Sequence, residues 1–315
     1  MDLHWLGMGA VRGIWLSGLV VMLGVSGFKF FVLDPVYREI GQGGGSSEIR
    51  KRGESFTRRW TGAGFVIFFL TGFAGLIHEM RMIRPLSEMI PITPLFLTKT
   101  HWGRIWTLRL ALSLVSGFFW FLHDRRKRPL FGWFLVSLFP LAATFSLIGH
   151  LAEGGDLTLA VLADAIHLLA VSLWIGGLIP LVFFLPSAFS SRAMAGEALV
   201  AVVEKFSRMA VLSVILIIAT GLTGLWFVQG GKFSWSWMPG RLYGQVLFFK
   251  VAFAGAVLCL GGAARFWILP VFRRHRENLP PPAAKWFFRL VSFELFLALI
   301  VLAGAFLLTQ APPPR

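Results

Sequence analysis

Thr144-Phe-Ser-Leu-Ile-Gly-His150, the acidic turn Glu153-Gly-Gly-Asp156, and Asp164-Ala-Ile-His167-Leu-Leu-Ala-Val-Ser-Leu-Trp174-Ile-Gly-Gly177 form the stretch that decides the fold. It joins two apolar runs, each long enough to cross a bilayer as a helix, which takes about 20 residues. Each run carries one histidine near the shared end, and the turn between them contains no Lys or Arg. Polar side chains are costly inside a membrane helix, so both imidazoles are candidates for function.

The same pattern repeats along the chain. Its 315 residues are 56% hydrophobic and 14% charged, whereas soluble domains are roughly a quarter charged. The charges collect in short blocks between apolar runs. The reading is an all-α polytopic membrane protein with eight transmembrane helices, at about 11–33, 60–78, 101–123, 130–151, 158–185, 206–228, 242–270 and 286–308. The first run lacks a small-x-small cleavage pattern and reads as a retained helix. After it, Gly41–Ser47 and the cluster Arg50, Lys51, Arg52, Arg58 and Arg59 read as a flexible basic loop. A net charge of +15 does not point to nucleic acid here, because the basic residues fall in loops and form no recognition module. They read as topology determinants and contacts to an anionic lipid bilayer. The one cysteine, Cys259, lies in an apolar run, so there is no disulfide framework.

Lys and Arg number 18 in or beside the loops after the first, third, fifth and seventh helices, against 6 in the opposite loops and termini. The positive-inside rule then places both termini outside, in the periplasm of a Gram-negative host. His4, His78, His101, His150 and His167 fall on the outer side with Met1, Met8, Met80, Met82, Met89 and Met238, while His123 and His275 adjoin cytoplasmic basic clusters. A weak internal repeat is visible too. Thr71-Gly-Phe-Ala-Gly-Leu76 matches Thr220-Gly-Leu-Thr-Gly-Leu225, Gly103 with Arg109 matches Gly244 with Lys250, and Leu135-Val-Ser137 matches Leu290-Val-Ser292. It suggests two parallel four-helix units related by an axis along the membrane normal.

Three groups of residues could carry chemistry. His150 at the mouth of its helix and His167, about 14 Å along the next one, are staggered in depth like an entry site and a following site. Each could equally bond a neighbouring carbonyl or carboxylate, and Asp164 stands three residues before His167 on the same helical face. That contact would also orient a metal-bound imidazole. His78-x-Met80-x-Met82 is the second group: in an extended segment all three side chains share one face, a soft set suited to Cu+, and His101 could join it. Methionine is also an ordinary gap filler. Arg109, Lys250 and Glu294 are the third. They lie inside apolar runs, where charges are paired or form a relay, and Asp164 and Glu294 are the acids available to the two bases.

Thr100-x-x-Gly103-x-x-Trp106-x-x-Arg109, Gly149-His150, Asp164-x-x-His167 with Trp174-x-Gly-Gly177, Phe206-Ser-Arg208, Thr220-Gly221, Tyr243-Gly244 with Lys250, then Arg289, Glu294 and the closing prolines follow one another through the chain. In order and helical placement they resemble the copper resistance protein D (CopD) family of inner-membrane copper transporters. The resemblance implies transport of copper, as Cu+ or Cu2+, across the bacterial inner membrane, with no enzymatic activity. It also implies a periplasmic copper-binding partner (CopC-like), which some members carry fused. No such β-rich domain is read in residues 1–315, so the expected partner is separate. Outer-facing ligands suit uptake slightly better than export. No P-loop is present, so ATP is not implied. Two rival readings are a b-type haem electron carrier with histidine axial ligands and a non-catalytic membrane subunit of a copper enzyme.

Overall fold

In lipid the backbone of an apolar run finds hydrogen-bond partners only within itself, so such runs become helices. The computed structural model describes residues 3–39, 44–126, 129–152, 154–190, 196–231, 242–275 and 279–308, without some side chains, those of Met8 and His150 among them. Every regular element among the described residues is helical. Met1, Gly41 and Met238 lie outside the described residues.

Helix α1 spans Leu3–Phe28 and continues through a π turn, Lys29–Leu33, into Asp34–Glu39. Helix α2 is Gly44–Arg81, α3 Met89–Lys99, α4 His101–Arg126 and α5 Pro129–Ser146. Helix α6 is Leu159–Phe183, α7 Gly196–Val228, α8 Leu242–Ala263 with a π turn and a last segment Leu269–Arg274, and α9 Pro281–Leu308.

Three expectations need correction. The basic stretch from Arg50 to Arg59 is no loop: α2 runs for 38 residues through it. There Arg50–Glu54 (3.0 Å) and Arg52–Glu48 form the i,i+4 pairs that stabilise an exposed helix. The exit loop expected after His78 contains a further helix, α3, with Pro94 inside it. And the helix expected to reach residue 151 is shorter, so that seven helices meet the length and hydropathy of a full crossing among the described residues. The run expected at 130–151 is the exception, because α5 stops at Ser146 after 18 residues.

Helix α1 is common to two apolar clusters. One joins it to α6, α7 and α9, the other to α2, α4 and α5. The packing pattern has a second regularity: α1 packs on α2 as α6 packs on α7, and α4 on α5 as α8 on α9. Helix α1 also touches α9 much as α6 touches α5. The last segment of α8 packs on the start of α7, with Arg265 Nη1 donating to Ser207 Oγ at 2.6 Å and Arg273 paired with Glu204 at 2.6 Å. Among the described residues the longer segment Leu242–Ala263 packs chiefly on α9.

The closest approach lies at the centre, where α1 crosses α6 at Gly24 and Gly176. A methyl group on either glycine would run into the backbone of the other helix. Small residues at such crossings let helix backbones pack closely in lipid. Gly176→Val is therefore expected to destabilise the protein by about 1–3 kcal/mol or more, read as a lower melting temperature of the detergent-solubilised chain. Gly132→Ala, where the added methyl meets nothing within 4 Å, should leave it unchanged or slightly raised.

Candidate functional site

The end of α5 is shaped by two side chains from α4. The last carbonyls of a helix lack intrahelical donors and need outside partners. Arg109 supplies one, Nη2 donating to the Thr144 carbonyl at 2.8 Å while Nε donates to the Thr144 hydroxyl at 2.9 Å. Its guanidinium lies 4.3 Å from the Trp15 ring centroid and 4.0 Å from that of Phe145. His101 supplies another just beyond, its Nε2–H reaching the Leu147 carbonyl at 3.2 Å with Asp156 Oδ1 at 3.4 Å. The chain then makes one 3-10 turn, His150–Ala152. Helix α6 starts at Leu159 behind the Thr158 N-cap, whose hydroxyl accepts from the Val161 N–H.

Both parts of this hairpin lean on α7. The His150–Ala152 turn packs on α6 and α7, and Leu151 Cδ1 lies 3.9 Å from where a methyl on Gly224 would sit. Below it, His167 Nδ1 is 3.0 Å from the Thr220 hydroxyl, and its Cε1 lies 3.7 Å from the corresponding point at Gly221. At 1.5 Å per residue, His167, Thr220, Lys250 and Arg109 each lie roughly 12 Å from the hairpin end of their helices. They form one polar layer. Within it Lys250 is in electrostatic range of both Asp164 and His167, and Asp164 faces the Ser146 hydroxyl.

Several expected arrangements differ. Asp164 does not hold the His167 ring: the Nδ1 partner is Thr220 on another helix, and Asp164 turns toward Ser146 and Lys250. His78, Met80 and Met82 do not share a face, because the segment is the helical end of α2, where alternate residues point apart. Met80 is buried with its sulfur 3.8 Å from the Thr93 hydroxyl, while Met82 is exposed beyond the helix. Glu294 lies within range of the Trp174 indole, and no ion pair joins it to Arg109 or Lys250 among the described residues. Among the described residues no ion pair joins Arg109 or Lys250 to an acid within 4.0 Å, and no group of three or more His, Cys, Asp or Glu could hold a metal. Thr220, Gly221 and Gly224 were not expected at the site, although Thr220-Gly221 stood out in the sequence.

Trp174 has a single donor, its indole N–H, and Glu294 is the acid in range to accept from it. Glu294→Gln keeps an acceptor there and is expected to change stability by less than about 1 kcal/mol. Glu294→Leu strands the indole N–H and should cost about 1–3 kcal/mol. Arg109→Lys gives up the forked, stacked geometry that an ammonium cannot reproduce and should destabilise by about 1.5–3 kcal/mol. Thermal unfolding followed by tryptophan fluorescence checks all three.

Comparison with known proteins follows the same division of the chain. Residues 2–159 match the family model of the copper resistance protein D-like N-terminal domain, and residues 200–308 match that of copper resistance protein D. Copper resistance protein D of Pseudomonas syringae pv. tomato is 28% identical over 221 residues, 68% of this chain and 70% of that protein. Inner membrane protein YebZ of Escherichia coli (strain K12) is 26% identical over 221 residues, again 68% of this chain and 70% of that one. Copper transport protein CutJ of Bacillus subtilis (strain 168) is 27% identical over 223 residues, 69% of this chain but only 38% of CutJ. No solved structure matches. A helical membrane chain of which just over half matches the N-terminal model, and most of the remainder the second, belongs to the copper resistance protein D family.

Proposed function

We propose that this chain moves copper across the bacterial inner membrane through a site at the α5–α6 turn, with His167 the deeper ligand and His150 the one nearer the mouth. The observation that carries this is the convergence of both hairpin segments on α7. Leu151, beside His150, packs at Gly224 and His167 at Gly221, about 4.5 Å apart along the helix axis. His101, on the same turn through Leu147 and Asp156, stands where it can feed or complete the site. His78, Met80 and Met82 have no place in it as a set, though exposed Met82 is free to meet incoming metal. Relatives named for copper resistance and copper transport support the choice of metal.

The orientation proposed counts the shorter, apolar α5 as an eighth crossing, with both termini in the periplasm and the hairpin facing outward, which suits uptake from a separate CopC-like copper carrier. We read the matched packing of α1, α2, α4, α5 and α6, α7, α8, α9 as two parallel four-helix repeats. Position 156 should then be labelled from the periplasmic side and position 126 from the cytoplasmic side, in single-cysteine variants made in a Cys259→Ala background. Cytoplasmic labelling of position 156 would reverse the assignment.

Coordination needs a neutral imidazole. Copper binding should therefore weaken at acid pH, because protonation removes the lone pair the metal uses. His150→Ala and His167→Ala should each lower copper content and copper accumulation in cells while the protein still inserts and folds. A double variant that stays fully loaded and transport-competent would leave the hairpin a purely structural role. A haem absorption band in the purified protein would favour the electron-carrier reading instead.

A further inference from the structure

A neutral imidazole has one proton for two nitrogens, and a metal takes the bare one, so the bond made by one nitrogen decides which atom is offered. For His167 that bond is to Thr220. A threonine hydroxyl also has a single proton. Thr220 directs it back along its own helix, donating to the Leu216 carbonyl, with the Ile217 carbonyl at 3.4 Å as a second acceptor. Threonines inside helices commonly back-bond to the preceding turn in this way. With that proton committed, the oxygen faces His167 Nδ1 at 3.0 Å with a lone pair, and Nδ1 must donate.

The opposite arrangement satisfies fewer groups. If the hydroxyl donated to Nδ1, the ring proton would sit on Nε2, for which no hydrogen bond within 3.5 Å is found among the described residues. One bond would then form where two are possible, and a donor would be left unpaired inside the membrane, the costlier outcome. The Ile217 carbonyl, which lies in range of the ring beside Thr220 and can only accept, also favours a ring proton on the α7 side. No hydrogen bond joins Asp164 to the ring among the described residues, and Asp164 lies within range of Ser146 and Lys250. The ring lies against α7 at Gly221, where an added methyl would stand 3.9 Å from Nδ1, in ordinary contact.

We propose that Thr220 is a positioning residue that holds His167 as the Nδ1–H tautomer and so presents Nε2 to copper. This rests on the reading of His167 as a copper ligand. Thr220→Val keeps the shape of the side chain and removes the acceptor, while Thr220→Ser keeps the acceptor.

The test uses the full chain in lipid nanodiscs with 15N-labelled histidine, a His167→Asn variant to assign the signals, and Cu+ added under reducing conditions. In the parent protein Nδ1 of His167 should carry the proton, and the Nε2 signal should move when Cu+ binds. Thr220→Val should show mixed tautomers and bind Cu+ about ten- to a hundredfold more weakly, the usual range for losing a group that orients a metal ligand. Thr220→Ser should behave as the parent. A parent ring protonated on Nε2, or a Thr220→Val variant with unchanged tautomer and affinity, overturns the proposal. If Nδ1–H is present and is lost in Thr220→Val, yet Cu+ moves neither nitrogen, the tautomer lock stands and the assignment of His167 as a ligand falls.

Discussion

A guanidinium buried in a membrane protein needs somewhere to place its charge, and here that place is the end of a helix. The last carbonyls of α5 carry the partial negative charge of its dipole, and Arg109 meets them with a fork of donors suited to planar, paired acceptors. Trp15 from α1 and Phe145 from α5 close over its faces, so no carboxylate is needed to hold the cation. One residue thereby ties α1, α4 and α5 together. It also fixes where α5 stops, and with that the height at which the His150 turn leaves the bundle.

This is also the point at which reading the sequence ran ahead of the fold. Hydropathy counts apolar residues, and the run through Ile148 stays apolar, so a helix reaching residue 151 was the natural expectation. What ends it is a tertiary bond from a residue about 35 positions away, which no local pattern contains. The other apolar runs were legible because nothing interrupts them. Their ends were less so: the charged start of α2 is helical through side-chain pairs along its own surface, a feature that hydropathy counts against a helix.

The site was legible by residue type and not by partner. His150, His167 and His101 could be found because an imidazole is rare and costly in an apolar run. Asp164 looked like the partner of His167 because three residues separate them, but helical spacing shows only which side chains could meet. A threonine from α7 occupies the ring nitrogen instead. Thr220 carries no charge, so it stood out as part of a Thr-Gly pattern without any chemistry attached. His78-x-Met80-x-Met82 failed for a different reason: its spacing has meaning only in an extended segment, and the segment is a helix.

Arg109 and Lys250 occupy corresponding places in the proposed repeat, at the same depth in α4 and α8, yet their surroundings differ. Arginine is planar, permanently charged and able to stack, which is what a structural cap between two aromatic rings demands. Lysine is a compact charge on a flexible stem with three donors and no face to stack. Its neighbours match that difference: where Arg109 has Thr144 and two rings, Lys250 has Asp164 and His167 within range. The first half of the chain uses its buried cation to end a helix, and the second half leaves its own beside the histidine proposed to meet the metal. A cation placed there raises the cost of a second positive charge in the same layer, and Asp164 is the acid in range to offset it. Under the proposed repeat, the two halves divide the labour, one setting the position of the turn and the other the charge balance beneath it.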